Sequence, residues 1–333
     1  MNDIGAASSV SLSRLLRSGL VRPRLATPVH LDGKRIIVTG ASPGSIGFET
    51  AKALAQWGAE VTVTTRAQPE ALATVLSDAA RRPIDAITLD LCDAATVERF
   101  VATYRQRHGE RLDVLINNAG VHLDLLSKWK QPRRSADGFE IHWRSNYLGT
   151  MHLTHRLLPL LCSAAAASGD ARIVNLVSQL HTRGRNDQLF ERTRPYHSWA
   201  AYGLSKLALI HAGFEIQRRY AQRSQLQAYC LHPGAVLTDI ASKGLAGHPR
   251  VEALRKALRP IEAFFLLTAA EGAQTSLHCA TRPGLAGGLY YRNCQAAKPS
   301  ADSEDAAVAA RLWDATASWS QAVGAPYQAR YQK

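Results

Sequence analysis

The sequence predicts an α/β fold, a single doubly wound domain with a mostly parallel sheet of about seven strands. Three observations carry this. Short apolar runs alternate with longer segments of helical periodicity along most of the chain, a pattern that calls for a parallel sheet covered on both faces. The first strand-to-helix turn is crowded with small residues, Gly40-Ala41-Ser42-Pro43-Gly44-Ser45-Ile46-Gly47. Polar motifs recur where the strand runs end, which is where open α/β sheets bind ligands.

Taken in order, residues 1–30 form an N-terminal extension with Asp3 as its only acid. Within it, residues 9–21 have apolar positions at helical spacing, interrupted by Arg14 and Arg17. An arm packed on the domain, a disordered tail and an organelle presequence all fit, with arm or tail preferred. The lack of a long apolar core argues against a secretory signal. The domain then runs from residue 31 to 333. Residues 35–39 read as a buried strand, and the glycine turn follows. Residues 48–57 read as a helix stopped by Gly58, and residues 60–64 as a second strand. This is a βαβ unit with its glycines in the first turn, where backbone N–H groups and a helix N-terminus can approach a pyrophosphate.

The alternation continues. Residues 84–89 are a strand ending in Asp90-Leu91. Ala94–His108 is a helix, with Asp93 as its N-cap. Residues 112–116 are a strand ending in Asn117-Asn118-Ala119-Gly120, and residues 138–167 a long helical stretch that holds Asn146. Residues 172–177 are a strand ending at Ser178, residues 200–223 a helix, and residues 227–231 a strand ending in His232-Pro233-Gly234. Residues 288–291 read as a short last strand and 306–319 as a C-terminal helix. The apolar runs 157–161 and 264–270 read as buried helix. There is no internal repeat and no linker.

Composition narrows the function. The chain has 333 residues, 46% of them hydrophobic, enough for one large core. No apolar run approaches the roughly 18 residues of a membrane span. Five scattered cysteines (92, 162, 230, 279, 294), odd in number and without a Cys-x-x-Cys pair, read as reduced thiols of a cytoplasmic protein. The net charge of +13 is dispersed, with no basic stripe interleaved with aromatics, so no nucleic-acid partner is expected. His122, His181, His197 and His232 lie near strand ends, but their spacing fits no metal site, and no metal is expected.

The chemistry centres on Tyr202 and Lys206, four apart in a helix-favouring segment and therefore on one face. The ammonium is expected to lower the phenol from its ordinary pKa of about 10. A tyrosine tuned in this way can pass a proton to and from a carbonyl or alcohol; the plainer alternative is a surface pair. Arg66 follows the second strand, where an acid would bond a ribose 2′-hydroxyl. A guanidinium there suits a 2′-phosphate, with Ser42 and Thr65 adding hydroxyls, and favours NADP(H) over NAD(H). Its bland alternative is an exposed loop arginine. Asn146 is a poor helix former in a mid-helix position, consistent with a functional kink.

Together these motifs resemble those of the short-chain dehydrogenases/reductases, in order over about residues 30–325. They are the loop at 40–47, Asp90, Asn117-Asn118-Ala119-Gly120, Asn146 within Ser145-Asn146-Tyr147-Leu148-Gly149, Ser178, Tyr202 with Lys206, and Pro233-Gly234. Gly138-Phe139-Glu140, the run from Trp199 to Lys206, Arg311-Leu312-Trp313 and the 24-residue separation of Ser178 from Tyr202 are most similar to the retinol dehydrogenase-type branch. The glycine loop departs from the family's Thr-Gly-x-x-x-Gly-x-Gly. Here Thr39-Gly40 is followed by Gly44 and Gly47, one residue longer, as in the ketoreductase loop of large fatty-acid synthases, which binds NADP.

The resemblance implies a Rossmann-type domain that interconverts a carbonyl and an alcohol. It implies that Tyr202 is general acid or base, that Ser178 holds the carbonyl oxygen, and that Lys206 binds the nicotinamide ribose and depresses the Tyr202 pKa. Asn146 would order a water for a proton relay. The cofactor contacts it implies are Gly40, Ser42, Gly44, Ser45, Ile46 and Gly47 in the loop, Thr65 and Arg66, and Asp90 and Leu91 at the adenine. Asn117 and Ala119 would line the adenosine and nicotinamide ribose, with Tyr202, Lys206, Pro233, Gly234, Val236 and Thr238 completing the set. A homodimer or homotetramer is the family habit. A non-catalytic NADP-binding sensor or scaffold, and a dehydratase or epimerase, are the alternatives. Residues 121–137, 179–197 and 238–260 are expected to wall the substrate pocket. All three are net basic. Leu123, Leu125, Leu126, Trp129, Leu189, Phe190 and Trp199 suit an apolar substrate body, and the basic mouth suits an anionic group.

Overall fold

In the computed structural model, which describes residues 23–191, 194–236 and 266–324, the strand runs assemble into one eight-stranded sheet. The strands are β1 (Arg35–Val38), β2 (Glu60–Thr65), β3 (Ile84–Thr88), β4 (Val114–Asn117), β5 (Ala171–Leu176), β6 (Leu226–His232), β7 (Leu289–Arg292) and β8 (Gln295–Ala297). Their order is β3-β2-β1-β4-β5-β6-β7-β8. The first seven are parallel, and β8 turns back antiparallel on β7. The expected count of about seven is thus exceeded by one. β8 is three residues long, none of them buried, so no apolar run announces it.

The helices α1 (Ile46–Gln56), α2 (Pro69–Ala80), α3 (Ala94–His108), α4 (Thr150–Ser168), α5 (Ser198–Ser224), α6 (Ala269–Thr281) and α7 (Ala306–Gly324) cover both faces. The strands alternate between two cores, as the period of two requires. Ile37, Leu115 and Ile173 face the layer of α3, α4, α5 and α7. Ile36, Val38, Val114, Ile116 and Val174 face that of α1, α2 and α6. The order reverses between β1 and β4, which opens a crevice at their carboxyl ends. The apolar run 157–161 lies in α4. Of 264–270, only 264 and 265 lie outside the described residues; 266–268 lead into α6, 269 and 270 open it, and none of 266–270 is buried, so the expected buried helix is not found there. The extension before residue 23, Thr238 and the loop 238–260 lie outside the described residues.

The long helical stretch that holds Asn146 divides in two. Trp143–Gly149 is a π-helical turn that runs into α4. Arg144, in that turn, is 1% exposed, and it donates to Asp137 Oδ2 at 2.6 Å and to the Leu91 carbonyl at 2.5 Å. Its guanidinium also lies 5.1 Å from the Trp319 ring of α7. A Cβ on Gly149 would overlap the Leu91 carbonyl oxygen, so this turn and the segment just after β3 touch backbone to backbone.

Two histidines are buried in neutral form between the outer helices. His155 on α4 packs edge-on against Trp313 of α7 at 4.7 Å, and both its nitrogens lack hydrogen-bond partners. Burial pushes its pKa down to about 4, helped by His152. His211 on α5 pairs with Asn186 Oδ1 at 2.9 Å. Burial takes it to about 4 as well, with Arg218 acting in the same direction and Asp305 and Asp302 opposing. Because the unfolded chain protonates these rings near 6.5 and the folded chain does not, the stability they allow is present above about pH 6.5. It is lost as pH falls toward 4, at about 1.4 kcal/mol per pH unit per histidine. Urea unfolding midpoints are expected to drop between pH 7 and 5, and to drop less in His155→Phe. An equal drop in that variant would show that His155 takes up its proton in place.

Candidate active site

The glycine turn and the end of β4 are built against each other. Thr39 Oγ1 accepts from the N–H groups of Asn118 and Ala119, both at 3.0 Å. Asn118 Nδ2 donates to the carbonyls of Thr39 and Gly40 at 2.7 and 2.8 Å. Gly40, at φ +71°, lies so near this strand end that an added Cβ would be 2.9 Å from the Ala119 Cα. Ser45 is the N-cap of α1, its hydroxyl accepting from Phe48 N–H at 3.2 Å, so the open N-terminus of α1 points at the turn. The extra residue of the loop is absorbed by a turn in which Ser45 N–H donates to the Ser42 carbonyl at 3.1 Å, with Gly44 at φ +74°.

A cavity of about 1040 Å³ runs from this turn across the strand ends. One end is lined by Gly40, Ser42, Ser45, Ile46, Thr65, Arg66, Asp90 and Leu91. The other holds Ala119, His122, Ser178, Tyr202, Lys206, Pro233, Gly234 and Val236. At that end Ser178 caps the short 3-10 turn Gln179–Arg183, accepting from Leu180 N–H at 3.2 Å. Tyr202 and Lys206 come from the same face of α5. Lys206 Nζ donates to the Leu176 carbonyl at 2.9 Å and lies 5.8 Å from the centre of the Tyr202 ring.

Burial moves both groups toward neutrality. It pushes the Tyr202 phenol up to about 12, while a hydrogen bond with the Ser178 hydroxyl pulls the other way. It brings the Lys206 ammonium down to about 8. The Tyr202 phenol therefore lies above its ordinary value, not below it as its spacing from Lys206 leads one to expect. Desolvation of a fully enclosed phenol outweighs an ammonium that points at a backbone carbonyl.

A family model described as short chain dehydrogenase matches residues 34–246. The chain belongs to the short-chain dehydrogenase/reductase family. It falls in the retinol dehydrogenase-type branch. It is 35% identical to human retinol dehydrogenase 11 over 309 residues, covering 91% of this chain and 89% of that one. It is 33% identical to human retinol dehydrogenase 13 over 318 residues, covering 92% and 89%. Among solved structures, an uncharacterised protein from Mycobacterium paratuberculosis superimposes with a TM-score of 0.64 at 28% identity, covering 88% of this chain and 95% of that one. The enzyme is accordingly an oxidoreductase acting on carbonyl and alcohol groups, of a family that binds NAD(P)(H).

Of the residues expected at this dehydrogenase's site, most lie on the cavity wall. Gly44, Gly47, Asn117 and Asn146 do not, and Thr238 is outside the described residues. Asn117 turns inward: its amide donates to Thr154 Oγ1 at 3.1 Å and to Asn175 Oδ1 at 2.9 Å, beneath the sheet end. The adjacent Asn118, pointing the other way, is the residue that braces the glycine turn. Gly47 acts by its missing side chain, since a Cβ would collide with the Gly40 carbonyl oxygen and sit 2.5 Å from Asn118 Nδ2. Thr65 turns its hydroxyl to the Ala67 carbonyl at 2.8 Å, and Asp90 Oδ1 accepts from Cys92 N–H at 2.8 Å. Asp93, not Asp90, caps α3.

Asn146 is a clamp. Its Oδ1 accepts from Val121 N–H at 2.7 Å, and its amide donates to the Val121 carbonyl at 2.9 Å and to Ser205 Oγ at 3.1 Å. Ser205 in turn donates to the Tyr202 carbonyl at 2.7 Å. The π turn thereby fixes both the end of β4 and the helical turn that carries the phenol. Gly120, between them, leaves room: a Cβ there would lie 3.2 Å from Lys206 Nζ. Two histidines brace the substrate end, and their bonds fix their tautomers. His181 Nε2 accepts from Ser300 N–H at 3.0 Å, so Nδ1 carries the proton and donates to the Ser178 carbonyl at 2.7 Å. His142 Nε2 accepts from Leu123 N–H at 2.9 Å, and its Nδ1–H donates to Glu140 at 2.8 Å. Neither brace is visible as a sequence motif, because each joins segments far apart in the chain. Asn146→Ala is expected to lower kcat about tenfold or more by freeing Val121 and Ser205, while cofactor affinity falls by less. Equal kcat in the two proteins would remove Asn146 from the positioning network.

Proposed function

We propose that this enzyme interconverts a ketone or aldehyde and an alcohol with NADP(H), on a substrate with an apolar body and an anionic end. The observation that carries the chemistry is the meeting of Ser178, Tyr202 and Lys206 in one cavity with the glycine turn. When bound, NADP(H) supplies or accepts the hydride. The close approach of Gly40 to Ala119, the open N-terminus of α1 and the space left by Gly120 fit a dinucleotide laid across the strand ends. Preference for the phosphorylated cofactor is supported by exposed Arg66 on the wall beside Ser42 and Thr65. Asp90 is the only carboxylate on that wall among the described residues, and one of its oxygens is engaged by Cys92 N–H.

The side chains divide the remaining work. Tyr202, protonated at neutral pH, gives its proton to the carbonyl oxygen in reduction and recovers one in oxidation. The Ser178 hydroxyl holds the same oxygen and is itself fixed by the turn it caps. Lys206, charged below about pH 8, compensates the phenolate that forms as the proton leaves. Leu123, Ile141, Val177 and Leu180 give the wall its apolar part, and Arg133 and Arg134 stand exposed at its rim. The apolar part accords with relatives named for retinol, an apolar alcohol. Five free cysteines accord with a cytoplasmic setting, and we carry the homo-oligomer into the proposal as well.

NADPH absorbance followed over a panel of aldehydes, ketones and alcohols tests the reading. Tyr202→Phe is expected to bind NADPH normally and to lose about a thousandfold or more in turnover. Recycling of bound NADP without net oxidation would replace this reading with dehydration or epimerisation. The kcat/KM for reduction is expected to decline above about pH 8, as Lys206 loses its proton, and not near the ordinary lysine value. A profile level to pH 10 would show that the charge of Lys206 is not needed. Arg66→Ser is expected to weaken NADPH binding about tenfold to a hundredfold and to leave NADH binding nearly as it was. Equal losses for the two would refute the phosphate contact.

A further inference from the structure

This inference rests on the carbonyl chemistry proposed above and concerns where the anionic end of the substrate is held. The strand ends stand in a row. The glycine turn joins β1 to α1 beside the end of β4, and Ser178 lies just past β5. His232 is the last residue of β6, and Arg292 the last of β7. With the dinucleotide over β1 and β4 and the carbonyl at Ser178, a substrate body has the ends of β6 and β7 before it. A second cavity, of about 430 Å³, opens there and is lined by Gln179, His232, Gln274 and Arg292. His232, Pro233 and Gly234 line both cavities, so the two adjoin.

His232 Nδ1 accepts from Gln179 N–H at 3.2 Å, so the ring proton is on Nε2. The residue is 9% exposed. Its Nε2–H has no partner among the described residues and is open, unlike the enclosed, unpaired nitrogens of His155. Burial pushes the His232 pKa down to about 4, with Arg292 and His181 acting in the same direction. The ring is thus neutral near pH 7, and Nε2 stays a donor. Arg292, whose charge is felt at that ring, is exposed and forms no ion pair among the described residues. Two donors, one of them cationic, therefore face a cavity that no described acceptor satisfies. Arg24 and Arg292 stand on this wall against Glu271, whose Oε2 accepts from Thr268 N–H at 2.7 Å. That balance suits a singly charged oxyanion better than a doubly charged one.

We propose that the cavity at the ends of β6 and β7 is a subsite for a carboxylate at the far end of the substrate, held by His232 Nε2–H and the Arg292 guanidinium, so that oxo acids and hydroxy acids are favoured over their uncharged counterparts. Arg133 and Arg134, on the wall of the larger cavity, do not hold it. The test is the ratio of kcat/KM for straight-chain ω-oxo carboxylates, over a series of lengths, to that for their methyl esters. The acid is expected to be preferred at the length that spans from Ser178 to Arg292. In Arg292→Gln that preference is expected to fall about tenfold or more, mainly through KM. His232→Phe keeps a ring, removes the N–H donor and is expected to lower it too. A ratio unchanged in Arg292→Gln, or one lost instead when Arg133 and Arg134 are both changed to Gln, overturns the proposal. A second arm reads binding alone, by titration calorimetry with saturated fatty carboxylates, which carry no aldehyde or ketone. Their Kd is expected to rise about tenfold in Arg292→Gln. An unchanged Kd, or no binding at any chain length, overturns the proposal. An Arg292-dependent Kd in a protein that turns over no carbonyl would uphold the subsite and refute the redox reading.

Discussion

A phenol and an ammonium are buried on the same helix face, and the rest of the site depends on how that burial is tolerated. Desolvation favours the neutral form of each: Tyr202 is held protonated far above neutral pH, and Lys206 sits close to losing its charge. An isolated buried ammonium would be costly. Here it keeps a strong hydrogen bond to the Leu176 carbonyl at the end of β5. The carbonyl belongs to the last residue of its strand, so the sheet itself positions the cation. The same arrangement leaves the phenol with a proton to give and a cation near enough to receive the charge that results.

The backbone around this pair is fixed by side chains that never face the cavity. Thr39 and Asn118 lock the glycine turn to β4 across the point where the strand order reverses. Asn146 locks the other side of β4 to the turn of α5 below Tyr202. A π-helical turn is what lets Asn146 reach both Val121 and Ser205, since it departs from regular helical spacing at that point. Arg144, two residues earlier in the same turn, ties the segment to Leu91, just beyond β3. Three strand ends are thus held in mutual register by polar side chains, and the cavity is the space they keep open.

Much of this was legible because strand ends carry the chemistry in such folds. The helix Ala94–His108 and its Asp93 cap follow from local pattern alone, and the Tyr202–Lys206 pair follows from the helical period. Asn146 stood out as a poor helix former and lies in the π turn. What was not legible has physical reasons. The helix α2 starts after Gln68, whose left-handed backbone the sequence does not announce, although Pro69 at its first turn is a usable signal. The helix α6 opens with a Thr268–Glu271 capping box, and the apolar residues on both sides of Thr268 continue across the boundary without a change of pattern. Asn117 and Asn118 exchange their expected importance because neighbouring residues at a strand end point to opposite sides, and the strand boundary alone decides which is which.

The raised Tyr202 pKa shows how far local spacing can be trusted. Four residues of helix place a cation near a phenol, and charge alone says the phenolate gains. Enclosure of both groups depends on His122, Trp199 and the loop beyond β4, which spacing along α5 does not describe. That loop is pinned to the start of α5: Ser198 donates to the Asp124 carbonyl at 2.8 Å and the Trp199 indole N–H to the Leu125 carbonyl at 3.0 Å. The segment that encloses the phenol therefore also lines the cavity, through Val121, His122 and Leu123. Substitutions that open this loop to water should lower the Tyr202 pKa and reshape the cavity together.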